Sequence, residues 1–218
     1  ALVTALRLNS PERLRAVFAA ASQDPIMKRQ LAFMLARQRV AIDKVGVDRA
    51  EEELLQEIMF NSNLSKHYLE LAKELQILAP KDPEDLFKSA AVGSTDPLRI
   101  VPKAETAKSN LAIVLGNAFL NAGYCGDKLM AEDQEQFMWK NKDVALMTAA
   151  ASLGAINMWN LGDGLSALDT LHNQHQNSAN PQGVNVQAGA LLGIGLVHSG
   201  IRNEADPAFA LLRDALES

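Results

Sequence analysis

The residues whose types could do chemistry in this 218-residue chain are few, and their spacing argues against a reaction centre. His172 and His175 stand three apart, close enough to meet on one face of a helix. A metal site needs further ligands, and no cysteine or carboxylate cluster follows them, so they read as exposed histidines entering a polar loop. Gly189, Gly193 and Gly195 are glycine-rich, but their order is not GxGxxG and no strand precedes them. They read as packing glycines rather than a phosphate cradle. Cys125 is the sole cysteine; it lacks a catalytic signature and reads as a buried structural thiol. His198 falls on a small-residue helix and reads as a partly buried, satisfied histidine, while His67 has no partner pattern. No GxSxG elbow occurs. No cofactor and no metal is therefore expected, and a small-molecule enzyme has no cluster of ionisable groups to support it.

Two acidic groups remain. Asp48 with Glu51 to Glu53 marks a solvated helix start that complements the helix dipole. Glu204, Asp206, Asp214 and Glu217 accompany the last helix; they too read as a solvated face, with a docking surface for a basic partner as the functional alternative.

The elements that must position these residues are helices. Hydrophobic residues make up 48% of the chain but aromatics only 5%, with Ala and Leu dominant, which suits close-packed helices. Ser10-Pro11-Glu12 and Asp24-Pro25 are N-caps followed by a first-turn proline. In the helix after Pro25, Ile26, Leu31, Met34 and Leu35 are expected to form one buried stripe. Asp48 caps the next helix, and Asn61 to Asn63 separate it from another. Pro80, Pro83, Pro97 and Pro102, around one short helix at Glu84 to Ala90, suggest a boundary. The expected division is a helical rod segment with linker at 1–103 and repeats at 104–218.

Beyond that boundary a Leu-Gly step recurs at Leu115-Gly116, Leu153-Gly154 and Leu192-Gly193, with 38 and 39 residues between the glycines. One small-residue helix per period near 40 is the mark of a repeat solenoid. The inner helices are expected near 104–122, 143–160 and 184–199, each followed by a more polar outer helix. Two loops interrupt the pattern, at 131–142 and 173–185. Glycine inside a helix costs about 1 kcal/mol relative to alanine, so it needs a compensating gain, and close backbone approach supplies one. Tightly packed inner helices with bulkier outer ones predict a curved stack, small residues on the concave side.

The net charge of −5 argues against nucleic acid or an anionic membrane as partner, since both need a basic footprint. The longest apolar run, Ala188 to Ile201, is 14 residues, short of the roughly 20 that span a bilayer. A single cysteine fits a reducing compartment. The first residue is not Met and lies within a helical pattern, so the chain is read as a piece of something longer.

The segments NAFLNAGYCGDKLM (117–130), KNKDVALMTAAASLGAINMWNLGDGL (140–165) and QAGALLGIGLVHSGIRNEADPAFALL (187–212) resemble proteasome/cyclosome repeats. Together with ALRLNSPERLRAVF and KRQLAFMLARQRV near the start, they resemble most the smaller repeat-bearing, non-ATPase subunits in the base of the 26S proteasome regulatory particle. The resemblance implies an all-α fold, a helical rod followed by a curved α-solenoid, from a longer subunit whose repeats close into a ring. It implies a non-enzymatic scaffold beside the base ATPase subunits, in cytoplasm and nucleus, that docks ubiquitin and the ubiquitin-like domains of shuttle factors and of a deubiquitinase. The principal ubiquitin site of the family falls on repeats beyond Ser218. Its deubiquitinase-docking helix corresponds here to Gly162 to Asp169: Asp163 matches an acidic docking residue, and Asp169 lies on the same helix. Where relatives carry two glutamines this chain has Ser166 and Ala167, which cannot make the amide hydrogen bonds of Gln. The loop after Leu171 is also longer than the family pattern. The alternative reading is a helical-repeat scaffold of another assembly, of cyclosome or coat type, with no ubiquitin role.

Overall fold

In the computed structural model, the described residues are 1–42, 48–78, 106–126, 138–175, 181–203 and 205–217. All regular structure among them is helical: α1 (Leu2–Arg7), α2 (Pro11–Ala20), α3 (Pro25–Arg37), α4 (Arg49–Phe60), α5 (Leu64–Glu74), α6 (Thr106–Leu120), α7 (Asp143–Ile156), α8 (Asp163–His175), α9 (Pro181–Val197) and α10 (Pro207–Glu217). The chain is all-α. It forms two compact units, one of Ala1–Leu64 with Gly200–Asp206, the other of Ser65–Ser199 with Pro207–Ser218. The expected boundary at 103/104 and the short helix at Glu84 to Ala90 lie outside the described residues, and α5 groups with the second unit.

Local rules start the helices of the first unit. Ser10, Asp24 and Asp48 each accept a hydrogen bond from the backbone N–H three residues on (Arg13, Met27 and Glu51). Pro11 and Pro25 open their helices, where a missing N–H costs nothing. Asn61 ends α4 in the left-handed conformation, at φ 57°. The core joins Leu2 and Ala5 of α1, Leu14 and Phe18 of α2, Leu31, Ala32 and Leu35 of α3, Ile42, and Leu55 and Met59 of α4.

The stripe expected on α3 is corrected here. Leu31 and Leu35 are buried, but Ile26 is 68% and Met34 40% exposed. Lys28 occupies the buried face instead, with its ammonium 2.7 Å from both carboxylate oxygens of Glu51. Glu51 is accordingly a salt-bridge partner and not the solvated carboxylate expected of it. A buried lysine tolerates its position because a paired, hydrogen-bonded charge escapes most of the desolvation penalty.

The second unit is built on small residues. Helix α7 packs against both α6 and α9. A Cβ added at Gly154 would fall into the backbone of Gly193, so the glycines of two successive Leu-Gly steps meet face to face. A Cβ at Gly189 would likewise strike the carbonyl oxygen of Met147. The packing role expected of Gly189 and Gly193 is their role in the structure, but not that of Gly195, which is exposed and where a Cβ would meet nothing within 4 Å. The chain leaving each inner helix then donates backbone hydrogen bonds to the end of the next: Gly123 to Ala155 and Cys125 to Ile156 after α6, Trp159 to Val197 after α7. The three inner helices and the second and third outer helices fall near their expected places, while the outer helix expected after α6 and most of the loop expected at 131–142 lie outside the described residues. One loop is shorter than expected, since α8 runs through His175 and α9 already starts at Pro181. Proline at a first helical position explains that early start.

Candidate docking face on helix α8

Helix α8 carries the residues singled out for docking. Its first turn is fixed from three sides. Gly164 is buried, and a Cβ there would stand 2.8 Å from Cβ of Asn157, so the absent side chain lets the helix begin directly beneath the turn that ends α7. That turn is held by Trp159, whose backbone N–H donates to the Val197 carbonyl and whose indole N–H donates to the Ser199 carbonyl, both at 2.9 Å. The Asn157 side chain donates to the Leu153 carbonyl at 2.9 Å. On the inward side, Leu165 and Leu168 are buried with Ile194, Val197 and Ala208.

With Leu165 and Leu168 inward, helical spacing turns Asp163, Ser166, Ala167 and Thr170 outward, and all four are exposed. Asp169 lies off this line and is half-buried. The outward surface is short and nearly neutral apart from Asp163, which sits in the first turn where the helix dipole favours an anion. Thr170 Oγ1 is occupied by its own helix, donating to the Ser166 carbonyl at 2.8 Å. Sequence inspection missed Thr170 as a member of this face, although i, i+3, i+4, i+7 spacing from Asp163 points to it. It also missed Trp159 and Gly164 as the residues that set the face, because their partners lie elsewhere in the chain.

Of the second candidate set, only the Asp206 side chain is among the described residues. Asp206 is exposed and directly precedes α10 at φ 36°, while Glu204 and the side chains of Asp214 and Glu217 lie outside the described residues. His172 is half-buried rather than exposed as expected, with Nε2 3.2 Å from the Gln187 amide nitrogen, and the side chain of His175 lies outside the described residues. Among the described residues, no three His, Cys, Asp or Glu are grouped to hold a metal ion, and no helix is long and apolar enough to cross a membrane. Cys125 is half-buried rather than buried, with Sγ 3.8 Å from Ser65 Oγ. Beside it Tyr68 meets Tyr124 and Trp159 edge-on, at centroid separations of 5.7 and 5.2 Å. Burial raises the Tyr68 phenol above its ordinary value, and the neighbouring Tyr124 adds to the effect.

Residues 1–91 match a family model described as the RPN1 N-terminal domain. The 26S proteasome regulatory subunit RPN1 of Candida glabrata is 41% identical over 214 residues, covering 98% of this chain and 20% of the relative. The 26S proteasome regulatory subunit rpn1 of Schizosaccharomyces pombe is 40% identical over 211 residues, covering 95% of this chain and 22% of its own length. The 26S proteasome non-ATPase regulatory subunit 2 homolog B of Arabidopsis thaliana is 35% identical over 222 residues, covering 97% and 24%. The chain spans about a fifth to a quarter of the length of these relatives, and the likeness runs through both of its compact units. With the paired repeat glycines and the all-α fold, the chain belongs to the RPN1 family of 26S proteasome regulatory subunits.

Proposed function

We propose that this chain is a non-catalytic part of a scaffold in the proteasome regulatory particle base, and that the outward face of α8 docks a ubiquitin-like domain. The observation that carries the docking reading is the rigidly seated, exposed line of Asp163, Ser166, Ala167 and Thr170. A presenting surface gains affinity from being fixed before its partner arrives, since less freedom is lost on binding. Small side chains at 166 and 167 let a partner approach the helix closely, and Asp163 offers a carboxylate to a basic rim. Electrostatic complementarity of that kind acts chiefly on association rate and register. With alanine at 167 in place of an amide, the expected affinity is modest.

The proteins to be docked are a deubiquitinase and shuttle factors through their ubiquitin-like domains, and ubiquitin itself. The base ATPase subunits are the structural neighbours, and cytoplasm and nucleus the compartments. The rod-then-solenoid architecture, with inner helices on the concave side and a division near 103/104, is part of the same proposal.

The test is a titration of the 218-residue chain into an isotope-labelled ubiquitin-like domain of a proteasome-associated deubiquitinase, followed by NMR. Binding that weakens about tenfold with Asp163→Lys supports docking at α8. An unchanged affinity in that variant moves the site elsewhere. Absence of binding at millimolar concentration overturns docking and leaves a purely structural scaffold.

A further inference from the structure

Helix α3 exposes two large apolar side chains, Ile26 and Phe33, opposite its core side, on a line that also holds Gln30. Ile26, Phe33 and Arg37 fall on that line at i, i+7 and i+11, with Met34 on the flank. Phe33 is 55% exposed, more than half of a large aromatic side chain that folding leaves in water. The flank with Met34 forms one wall of a groove of about 440 Å³ lined by Val3, Leu6, Arg7, Met34, Arg37 and Gln38. Val3, Leu6 and Met34 supply its apolar walls. Arg7 and Arg37, each in the last turn of its helix, supply its charge, and both are exposed. All six residues belong to the first unit.

The stretch of chain that forms α1 to α3 is itself basic. Residues 1–42 hold seven Arg or Lys against two carboxylates, a formal charge of +5 within a chain whose total is −5. One of the seven, Lys28, is buried against Glu51; the arginines at 7, 13, 29, 37 and 39 are exposed. The unit as a whole is formally neutral, because the stretch that forms α4 is acidic, with Asp48, Glu51 to Glu53 and Glu57. The local excess of exposed arginine on α1 to α3, two of them in the groove itself, favours a partner of the opposite sign at this place.

We propose that the groove between α1 and α3 docks an acidic amphipathic helix of a partner protein. The apolar face of such a helix lies in the groove, anchored against Val3, Leu6 and Met34, in the manner of helix-in-groove recognition. Carboxylates flanking that face reach Arg7 and Arg37, whose planar guanidinium groups bind carboxylates in a bidentate way that lysine does not. Both guanidinium groups belong to the lining, so apolar and charged recognition act on one ligand at once. This surface is independent of the α8 face and of its partner.

The experiment is a fluorescence-anisotropy titration of the 218-residue chain with two labelled peptides of about 20 residues, long enough for five helical turns. Both carry leucine at i, i+3, i+4 and i+7 positions; one has glutamate beside the leucines and the other lysine. The acidic peptide is expected to bind at least about tenfold more tightly than the basic one, and raised salt to weaken it. The double variant Arg7→Glu, Arg37→Glu alters only exposed side chains and so keeps the fold; it is expected to reverse the preference. Met34→Asp, checked for native helicity by circular dichroism, is expected to abolish both interactions. Equal binding of the two peptides, or an affinity untouched by the double charge reversal, overturns the proposal. Sedimentation showing a dimer that Met34→Asp dissolves assigns the groove to a second copy of the chain and overturns it as well.

Discussion

Lys28 and Glu51 form the most buried ion pair among the described residues, with side chains 6% and 24% exposed. The asymmetry decides what each substitution does. Glu51→Ala strands an ammonium in the core and is expected to cost about 2–3 kcal/mol, whereas Lys28→Met fills the same space and leaves a carboxylate that water still reaches, costing about half as much. Urea unfolding of both variants checks the order; equal costs would mean that the pair acts only through packing. Tyr68 gives a prediction of the opposite kind. Its folded-state value is raised by burial and by Tyr124, so folding favours the neutral phenol. Its stabilising share is complete below about pH 10 and is lost as pH rises through the higher folded value. Thermal melts from neutral to alkaline pH should show the fall only above about pH 10, and Tyr68→Phe should remove that part of it. The pairing of Lys28 was not legible in the sequence. Its partner lies 23 residues away on another helix, and nothing in the α3 pattern distinguishes a buried lysine from a solvated one.

At the scale of elements, the glycines separate packing from propensity. Gly154 and Gly195 both lie in inner-helix segments, and helix propensity alone favours alanine at each by about 1 kcal/mol. A Cβ at Gly195 meets nothing within 4 Å, so Gly195→Ala should stabilise by about that amount. A Cβ at Gly154 must displace the backbone of Gly193, and Gly154→Ala should destabilise by about 3 kcal/mol or more, the sign reversed. Chemical denaturation of the two variants decides it; a stabilised Gly154→Ala would remove the close-approach account of the Leu-Gly step. The step was readable in advance because a costly residue recurring at a fixed period needs a reason that recurs with it. The helix caps were readable because each involves neighbours three residues apart. The outward line of α8 was readable in part, since Asp163 and Ser166 follow helical spacing. Its seating by Trp159 was not, because the bonds to Val197 and Ser199 cross from one repeat to the next.

At the scale of the whole molecule, the first compact unit is assembled from two separated stretches of chain, 1–64 and 200–206. The second stretch is short but well tied. The Arg202 N–H donates to the Phe60 carbonyl at 2.9 Å, its guanidinium carbon lies 5.6 Å from the centre of the Phe60 ring, and Asn61 Nδ2 donates to the Gly200 carbonyl at 2.8 Å. The Arg202 bond satisfies the last carbonyl of α4, where helical carbonyls lack partners of their own, and the Asn61 bond ties the residue that closes the helix to the returning segment. No periodic pattern announces such a connection between residues 139 apart, so the sequence read as two consecutive segments where the fold returns on itself. Arg202→Pro deletes the N–H donor and the cation–π contact while leaving the carbonyl and the helices on either side intact. Asn61→Gly keeps the left-handed φ that closes α4 and removes only the bond to Gly200. If the return stretch holds the end of α4, hydrogen exchange should quicken at the last turn of α4 in both variants. The expected loss of protection is about 2 kcal/mol for Arg202→Pro and about 1 kcal/mol for Asn61→Gly. Exchange at α2 should change less, because its amides are held by the core of Phe18 and Leu35 rather than by the returning segment. Unaltered exchange at the end of α4 in both variants would show that residues 1–64 complete the unit without residues 200–206.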